Sequence, residues 1–244
     1  MKVALIGDVH ANLPALEAVL AHARKQGVEA IWNVGDWVGY NAFPNEVIEL
    51  LRQERALSVV GNYDLKVLRF RKKQEKWQHS KHPQKYLAFK WTYQTLSKKN
   101  RKYLRTLPRE IELKFANVSV LLTHASPASI EEAIFLDTPE ERLQELAELA
   151  GTDVIIFGHS HQPFARQVDG VWFINTGSVG RPDDGDPRAS YAVLTLSAKK
   201  LHVQHHRIDY NVERAVAAIR KNKLPEEFAK MLLQGCSLDQ VVMP

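Results

Sequence analysis

Short apolar runs alternate with helical patterns along the first quarter of this chain. Residues 3–6, 30–34 and 56–60 are apolar runs of strand length, and each is followed by polar residues. Between them, apolar residues recur at helical spacing after Asn12, which can cap a helix, and after Pro44, which can open one. Strands that alternate with helices predict an α/β fold.

The same alternation continues through the rest of the chain. Further strands are predicted at five places: residues 118–123, 153–157, 171–174, 190–196 and 201–208. The last two are expected to form an antiparallel pair that turns at residues 198–200. Residues 140–149 predict a helix, and residues 212–234 predict a helical tail that is interrupted near Pro225. At 244 residues the chain is long enough for one large domain, and we expect a single domain over residues 1–244.

Five of the predicted strands are followed by side chains of the types that bind metal ions in proteins. In chain order these side chains are Asp8 and His10, Asp36, Asn62, His124, and His159 with His161. Strand ends gather along one crevice in an open α/β sheet, so we expect the side chains to converge. Carboxylate, imidazole and amide ligands together suit Mn, Fe, Zn or Ni better than Ca or Mg, which prefer oxygen alone. A His-x-His pair by itself is equally compatible with a surface turn, and the other four strand ends favour a metal site.

Composition excludes several classes of protein. No apolar run approaches the roughly 18 residues that a membrane span needs, so we expect no membrane-embedded part. Cys236 is the only cysteine, which excludes an intrachain disulfide and a cysteine-rich zinc site. No charged-then-apolar leader precedes the first strand. These features lead us to expect a cytoplasmic protein.

The net charge of +5 is concentrated in residues 65–110, which we call the basic segment. Residues 66–109 contain 15 Lys and Arg residues but one acid, Glu75, a local net charge of +14. Five aromatic residues lie among them: Trp77, Tyr86, Trp91, Tyr93 and Tyr103. Two interpretations remain open. The segment binds nucleic acid through its cations and aromatic rings, or it is an amphipathic helical excursion with a solvated basic face and an aromatic inner face.

The metal-ligand blocks carry a family resemblance. Five blocks resemble those of the calcineurin-like metallophosphoesterases: Gly7-Asp8-Val9-His10, Gly35-Asp36, Gly61-Asn62 followed by Asp64, His124, and Gly158-His159-Ser160-His161. Longer strings at residues 38–40, 44–47, 124–127 and 177–188 resemble the small prokaryotic phosphodiesterase branch. The resemblance implies an α/β fold of a particular kind. It is a four-layer αββα sandwich of two mixed sheets flanked by helices, in which the basic segment forms a cap-like helical insertion.

The resemblance also implies two divalent transition-metal ions. Asp8, His10 and His161 are expected on the first ion, Asn62, His124 and His159 on the second, and Asp36 between them. Two metals about 3.5–4 Å apart share a hydroxide that attacks the phosphate in line. Asp36 and Asn62 are therefore expected to take part in catalysis, and Asn62 also to contact the substrate.

Tyr63 departs from the family pattern. Many members have a histidine there, which is thought to protonate the leaving oxygen and to be oriented by the next residue, Asp64 in this chain. A phenol with a reference pKa of about 10 is a weaker acid than imidazolium, at about 6.5. Tyr63 is thus either a proton donor or substrate contact held by Asp64, or a packing residue. His79 or His82 in the basic segment is a further candidate acid.

Other polar residues have a structural interpretation beside the functional one. Asn12 is a helix cap or a substrate contact, and Arg181 is a phosphate contact or a solvated loop residue. Arg188 is expected to form a structural ion pair with Asp184 or Asp186.

The function that these features favour is hydrolysis of small phosphate diesters, including nucleotide-type substrates. Alternatives are a phosphomonoesterase or dinucleoside polyphosphate hydrolase, a scaffold with weak catalysis because of Tyr63, and a nucleic-acid-binding member. The apolar positions in residues 212–234 are compatible with core packing or with contacts in a homo-oligomer.

Overall fold

The computed structural model describes residues 1–115, 117–197 and 201–242, which form two five-stranded mixed sheets. The first sheet contains β1 (Lys2–Ile6), β2 (Ala30–Asn33), β3 (Leu57–Ser58), β9 (Ala189–Leu196) and β10 (Leu201–Ile208), in the spatial order β10-β9-β1-β2-β3. The second contains β4 (Glu110–Phe115), β5 (Val118–Thr123), β6 (Val154–Phe157), β7 (Phe164–Val168) and β8 (Val171–Asn175), in the order β4-β5-β6-β8-β7. Strands β1, β2 and β3 are parallel, as are β5, β6 and β8.

Helices connect and cover the strands. In chain order they are α1 (Leu13–Lys25), α2 (Pro44–Gln53), α3 (Asn62–Ser80), α4 (Pro83–Thr95), α5 (Lys98–Leu104), α6 (Glu140–Ala150), α7 (Val212–Lys221), α8 (Glu226–Gln234) and α9 (Leu238–Val242). The predicted antiparallel pair is confirmed as β9 and β10. Its predicted turn at residues 198–200 lies outside the described residues. Sequence reasoning did not predict β4, β7 or α9, and the third predicted strand is confined to two residues.

Alternating residues of each central strand point into different cores. Leu5 of β1 shares one buried cluster with Leu122 of β5 and Ile156 of β6, which places the two sheets face to face. The neighbouring residue Ile6 packs on the opposite side, with Leu16 of α1. The second sheet has the corresponding arrangement against α6. Helix, sheet, sheet and helix therefore form the predicted four-layer αββα sandwich, because each sheet is apolar on both faces.

The polar strand ends come from both sheets rather than from one. Strands β1, β2 and β3 of the first sheet precede Asp8, Asp36 and Asn62, whereas β5 and β6 of the second precede His124 and His159. The expectation that a single open sheet gathers all five ends is therefore wrong. Face-to-face packing brings the carboxyl edges of two sheets together, and the ligand loops meet between them.

The basic segment forms α3, α4 and α5, and its aromatic rings point inward. Trp77 packs on Phe89 with ring centroids 5.7 Å apart, and Tyr86 packs on Phe70 at 5.4 Å. Tyr93 also contacts Phe70, at 5.9 Å. Of the two interpretations of the aromatic residues, the inner packing face is confirmed. Every helix in the described ranges is too short or too polar to cross a lipid bilayer.

Candidate metal centre

The loops that carry the acidic and imidazole side chains have an unusual backbone. Five of the predicted ligands adopt positive φ angles: Asp8 (51°), His10 (47°), Asp36 (53°), His159 (67°) and His161 (58°). Residues other than glycine seldom adopt this left-handed conformation, which costs of order 1–3 kcal/mol each and is concentrated at functional sites. The fold therefore maintains local strain at the strand ends that hold these side chains.

The first group of side chains brings together Asp8, His10 and His161. Nε2 of His161 lies 3.3 Å from Oδ1 of Asp8 and 3.3 Å from Nε2 of His10. Nε2 of His10 lies 4.0 Å from the same Asp8 oxygen. All three side chains are buried, and one ligand atom from each lies within 4.8 Å of the others. These are the residues that the sequence assigned to the first ion.

Asp36 lies between this group and His124. Its Oδ2 is 3.8 Å from Nε2 of His10 and 3.6 Å from Nε2 of His124. Asp8, Asp36 and His124 form a second group of ligand atoms within 4.8 Å of one another. The position of Asp36 suits a bridging ligand, and Asp8 contributes to both groups, which the sequence did not indicate.

Asn62 and His159 flank the second group. Nδ2 of Asn62 donates to Oε2 of Glu131 at 3.2 Å, and this contact fixes the orientation of the amide. The ring of His159 stands 5.1 Å from that of His124, and its Nε2 lies 3.2 Å from the backbone oxygen of Glu131. If Nε2 donates there, Nδ1 is the nitrogen that remains for a metal. His159 is thus near His124 but lies outside the two compact groups.

Buried polar atoms without a hydrogen-bond partner indicate which kind of ligand the cluster can hold. Oδ1 of Asp8, Oδ1 of Asn62 and Nε2 of His124 have no hydrogen-bond partner among the described residues, and each is buried from solvent. Leaving such atoms unsatisfied costs about 1–3 kcal/mol apiece. Oxygen and imidazole nitrogen acceptors aimed into one space fit divalent transition-metal ions. The residues present therefore fit the metals that the resemblance implies.

Outer hydrogen bonds orient two of the imidazole rings. Nδ1 of His124 lies 2.9 Å from the backbone oxygen of Val34, and Nδ1 of His161 lies 2.8 Å from that of Arg181. Oδ2 of Asp183 is a second partner of His161, at 3.3 Å. A donor hydrogen bond from Nδ1 fixes the tautomer that presents a free Nε2 lone pair. Both rings therefore present Nε2 to the cluster.

The ionisable groups of the cluster shift one another's pKa values. Burial, and then the neighbouring Asp8, raise the pKa of Asp36 to about 8. Burial and Arg181 lower the pKa of His161, but Asp183 and Asp8 outweigh them and raise it to about 9. Two carboxylates in a water-poor site cannot both ionise without cations beside them. A divalent ion would relieve this repulsion directly.

Two glycines allow the ligand loops to approach closely. A Cβ on Gly61 would lie 2.1 Å from Oδ1 of Asp36, and one on Gly158 would lie 2.2 Å from Oδ2 of Asp8. No real Cβ contact is this short, so a side chain at either position would displace a carboxylate. This explains why a glycine precedes Asn62 and His159 in the motifs.

Asp64 does not hold the Tyr63 side chain, as one of the two interpretations of Tyr63 required. Its Oδ1 accepts hydrogen bonds from the N–H groups of Trp37 and Val38 at 3.0 and 3.2 Å, and its Oδ2 accepts one from Gly61 at 2.9 Å. Burial, and then Asp36, raise the pKa of Asp64 to about 8. Asp64 therefore joins the start of α3 to the loop after β2 and acts through the backbone.

Asn12 is a helix cap and does not face a substrate. Its Oδ1 accepts from the N–H of Ala15 at 3.3 Å, while Nδ2 donates to the backbone oxygen of Gly180 and to the hydroxyl of Tyr210. The side chain is fully buried, so its hydrogen-bonding capacity is used within the protein. Of the two interpretations of Asn12 the helix cap is confirmed, and the substrate contact does not fit because the cap and the loop at Gly180 occupy the amide.

Arg181 and Arg188 have different environments. The guanidinium carbon of Arg181 lies 4.6 Å from the ring centroid of Tyr40, and one guanidinium nitrogen lies 3.3 Å from Oδ2 of Asp183. Its Nε is buried without a partner among the described residues. Arg181 is thus held beside the cluster rather than solvated. Arg188 forms the expected ion pair with Asp186, at 2.6 Å.

His79 and His82 are too far from the cluster to act as the general acid. Asn62 begins α3 and His79 lies in its last turn, 17 positions later, which is about 25 Å along the helix axis. His82 caps the next helix, and both histidines are exposed. The expectation that either could replace the missing acid is wrong because α3 leads away from the site.

Sequence reasoning missed Glu131 and Tyr40. Oε2 of Glu131 accepts from Asn62 and also from Nζ of Lys66, at 3.0 Å. The hydroxyl of Tyr40 lies 2.6 Å from that of Tyr63. Glu131 follows no strand, and only the string at residues 38–40 drew attention to Tyr40. Neither contact has a local sequence signal, because the partners are distant in the chain.

Comparison with known proteins identifies the family of this chain. Residues 1–199 match the model of the calcineurin-like phosphoesterase superfamily domain. The chain is 35% identical to the uncharacterized protein MJ0912 of Methanocaldococcus jannaschii, over 96% of this chain and 98% of that protein. It is 28% identical to phosphodiesterase YfcE of Escherichia coli K12, over 80% and 87% of the two chains.

A solved structure extends the match to the whole fold. The metallophosphoesterase of Sphaerobacter thermophilus superimposes with a TM-score of 0.79 at 32% identity, covering 96% of this chain and 99% of that one. The family match, the relatives and the cluster of ligand side chains lead to one conclusion. The chain belongs to the calcineurin-like phosphoesterase superfamily.

Proposed function

We propose that the protein is a phosphodiesterase that binds two divalent transition-metal ions, drawn from Mn, Fe, Ni and Zn. The observation that carries the proposal is the position of Asp36, whose Oδ2 lies within 4 Å of both His10 and His124. A carboxylate between two imidazole groups suits a bridging ligand. The unpartnered atoms of Asp8, Asn62 and His124 supply further ligands on either side.

Bound ions would act as Lewis acids and would bring the pKa of a water molecule toward neutrality. The chain's own side chains determine the rest. Two ions carry four positive charges and the two aspartates carry two negative ones, so the centre remains attractive to a phosphate group. Arg181 stands at its edge with a buried unpartnered Nε, and we assign it to phosphate binding. No side chain is required as a nucleophile.

The expected preference for good leaving groups follows from Tyr63. Burial, and then the neighbouring Tyr40, raise the pKa of the Tyr63 phenol well above 10, so it is a poor acid at neutral pH. Substrates whose leaving groups need little protonation should therefore react best. The preference for diesters rests on the similarity to a protein named as a phosphodiesterase.

The test is a matrix of metals and substrates with the full-length protein. Chromogenic monoesters and diesters, cyclic nucleotides and dinucleoside polyphosphates are each assayed with Mn, Ni, Fe, Zn and Mg. We expect the highest kcat/KM for diesters with good leaving groups, in the presence of a transition metal. Faster turnover of monoesters would contradict the diester preference. Absence of hydrolysis in every combination would contradict the proposal that the protein is an enzyme and would favour a scaffold function.

A further inference from the structure

Helix α3 carries a basic face that begins at the candidate metal ligand Asn62. The cations occupy positions 4, 7, 10, 11 and 14 after Asn62, which a period of 3.6 places on one side of the helix: Lys66, Arg69, Lys72, Lys73 and Lys76. Glu75, the only acid at residues 66–109, lies on a different side. The opposite face of α3 is buried through Val67 and Phe70. The charge of the basic segment is thus arranged as a continuous surface along one helix.

A groove of 310 Å³ lies beside this face. Leu65, Leu68 and Leu104 contribute to an apolar floor, and Arg69, Lys72 and Arg105 also line the groove. Its volume is in the range of small-ligand pockets. The groove is also lined by Val60, which lies two residues before Asn62 in the chain.

The cations of the groove are available to an external anion. Arg69, Lys72 and Arg105 form no ion pair with an acid in the described parts of the chain, whereas Lys66 pairs with Glu131 at 3.0 Å. Arg69, Lys72 and Arg105 are exposed. Three unpaired cations around an apolar floor complement a ligand that is anionic along its backbone and apolar in its side groups.

The length of the basic face favours a polymer over a single nucleotide. Arg69 lies about 10 Å and Lys76 about 21 Å from Asn62 along the axis of α3. Apart from the adjacent Lys72 and Lys73, successive cations are three residues or nearly one helical turn apart, so one phosphate cannot reach all of them. A duplex would keep its bases paired and could not place one on the leucine floor.

We propose that the groove and the basic face of α3 bind single-stranded nucleic acid. Backbone phosphates contact Arg69, Lys72 and Lys76 in succession, and an unpaired base lies on the floor near Leu68. The strand then continues past Val60 toward Asn62. That the strand is a substrate of the metal centre rests on the proposed function. Binding of the strand to the groove does not, and it is measured separately.

Binding is tested by fluorescence anisotropy with full-length, metal-loaded protein. The probe is a labelled oligothymidylate of about 12 nucleotides with phosphorothioate linkages, which resist hydrolysis; an oligouridylate distinguishes RNA from DNA. The groove variant combines Arg69→Ala, Lys72→Ala and Arg105→Ala. The control combines Lys98→Ala, Lys99→Ala and Lys102→Ala, which removes the same charge from exposed positions of α5 outside the groove. Circular dichroism melting verifies that both variants fold.

We expect the groove variant to bind at least tenfold more weakly and the control to change less than threefold. Each lost phosphate contact should lower the magnitude of the slope of log K against log salt by about 0.7, and therefore by about 1.4 for the contacts of Arg69 and Lys72. Equal weakening of binding in both variants would overturn the proposed role of the groove. Tighter binding of a duplex than of a single strand would also overturn it. If the strand binds but no phosphate ester is hydrolysed, the proposed function fails and this inference stands. If small diesters are hydrolysed but no strand binds, the inference alone fails.

Discussion

The hydroxyl of Tyr63 lies 2.6 Å from the hydroxyl of Tyr40 at the edge of the metal cluster. The ring of Tyr63 contacts that of His10 edge-on, with centroids 5.2 Å apart, and Arg181 stacks on the other tyrosine. This pairing fixes the Tyr63 phenol through a second phenol rather than through Asp64. Because burial, and then Tyr40, raise the pKa of the Tyr63 phenol well above its ordinary value, the hydroxyl is a weak proton donor.

Removal of the Tyr63 hydroxyl is expected to have a small effect. Tyr63→Phe should lower kcat less than tenfold for diesters with good leaving groups, because such groups depart without protonation. Tyr63→His should raise turnover of substrates with poor leaving groups, since imidazolium is a stronger acid. The dependence of log kcat on leaving-group pKa measures both effects, and Tyr40→Phe serves as a control for loss of the phenol pair. A hundredfold loss in Tyr63→Phe with good leaving groups would assign the hydroxyl an essential role.

Asp36→Asn should abolish most of the activity. Loss of a ligand between His10 and His124 is expected to cost at least about a hundredfold in kcat and to lower the metal content, because carboxylate ligands govern affinity. Elemental analysis and diesterase assays measure the two effects. Asp169→Asn, the same exchange at an exposed position, should leave both unchanged. Turnover within sixfold of the unmodified protein would refute the assignment of Asp36.

Metal binding is expected to release protons at neutral pH. Burial and Asp8 raise the pKa of Asp36 to about 8, and Asp183 and Asp8 raise that of His161 to about 9 against the opposing effects of burial and Arg181. Both groups hold a proton below these values, and a cation binds only their deprotonated forms. Metal affinity should therefore increase as the pH rises to about 9 and decrease as it falls.

Isothermal titration calorimetry in buffers of different ionisation enthalpy measures this proton release. We expect a net release of protons at pH 7, and the part that comes from Asp36 and His161 should decrease as the pH rises past their raised pKa values. A heat of binding at pH 7 that is independent of the buffer would show that Asp36 and His161 are already deprotonated in the metal-free protein.

Glu131→Gln should weaken the second metal site without unfolding the protein. The Glu131 carboxylate accepts from both Asn62 and Lys66, so its replacement frees the amide that presents Oδ1 to the cluster. Changes to groups that orient ligands typically cost 10–100-fold in affinity, and we expect about tenfold here. Competition with a metal-binding dye measures the affinity, and Glu112→Gln at an exposed strand position is the control. Equal affinities in both variants would assign Glu131 to loop structure only.

Two strands that the sequence analysis did not predict have recognisable local sequence patterns. Glu110–Phe115 alternates polar and apolar residues, the period of a half-buried strand, and it forms β4. Asp169 and Gly170 form a typical hairpin turn between β7 and β8. Helix α9 and the two-residue length of β3 had no such signal, because short elements depend on the surface against which they pack.

The candidate ligands could be predicted from sequence, but their surroundings could not. Asp8, Asp36 and His124 each follow a strand, and the structure brings them together. The interpretations in which Asn12 contacts a substrate, Asp64 holds Tyr63 or His79 donates a proton do not fit the positions of these side chains. Each depended on where a side chain points or how far a helix extends, and neither is encoded by nearby residues.

The sequence alone determined the alternation of strands and helices, the polar residues at five strand ends and the family that these motifs indicate. The period of apolar residues and the spacing of residues within a motif are local properties, so they can be recognised without knowledge of the fold. The tertiary structure decided that two sheets supply the cluster, that Tyr63 pairs with Tyr40, and that Glu131 orients Asn62. Those features arise when the apolar faces of both sheets pack together, which sets distances between residues that the chain itself separates by up to about 150 positions.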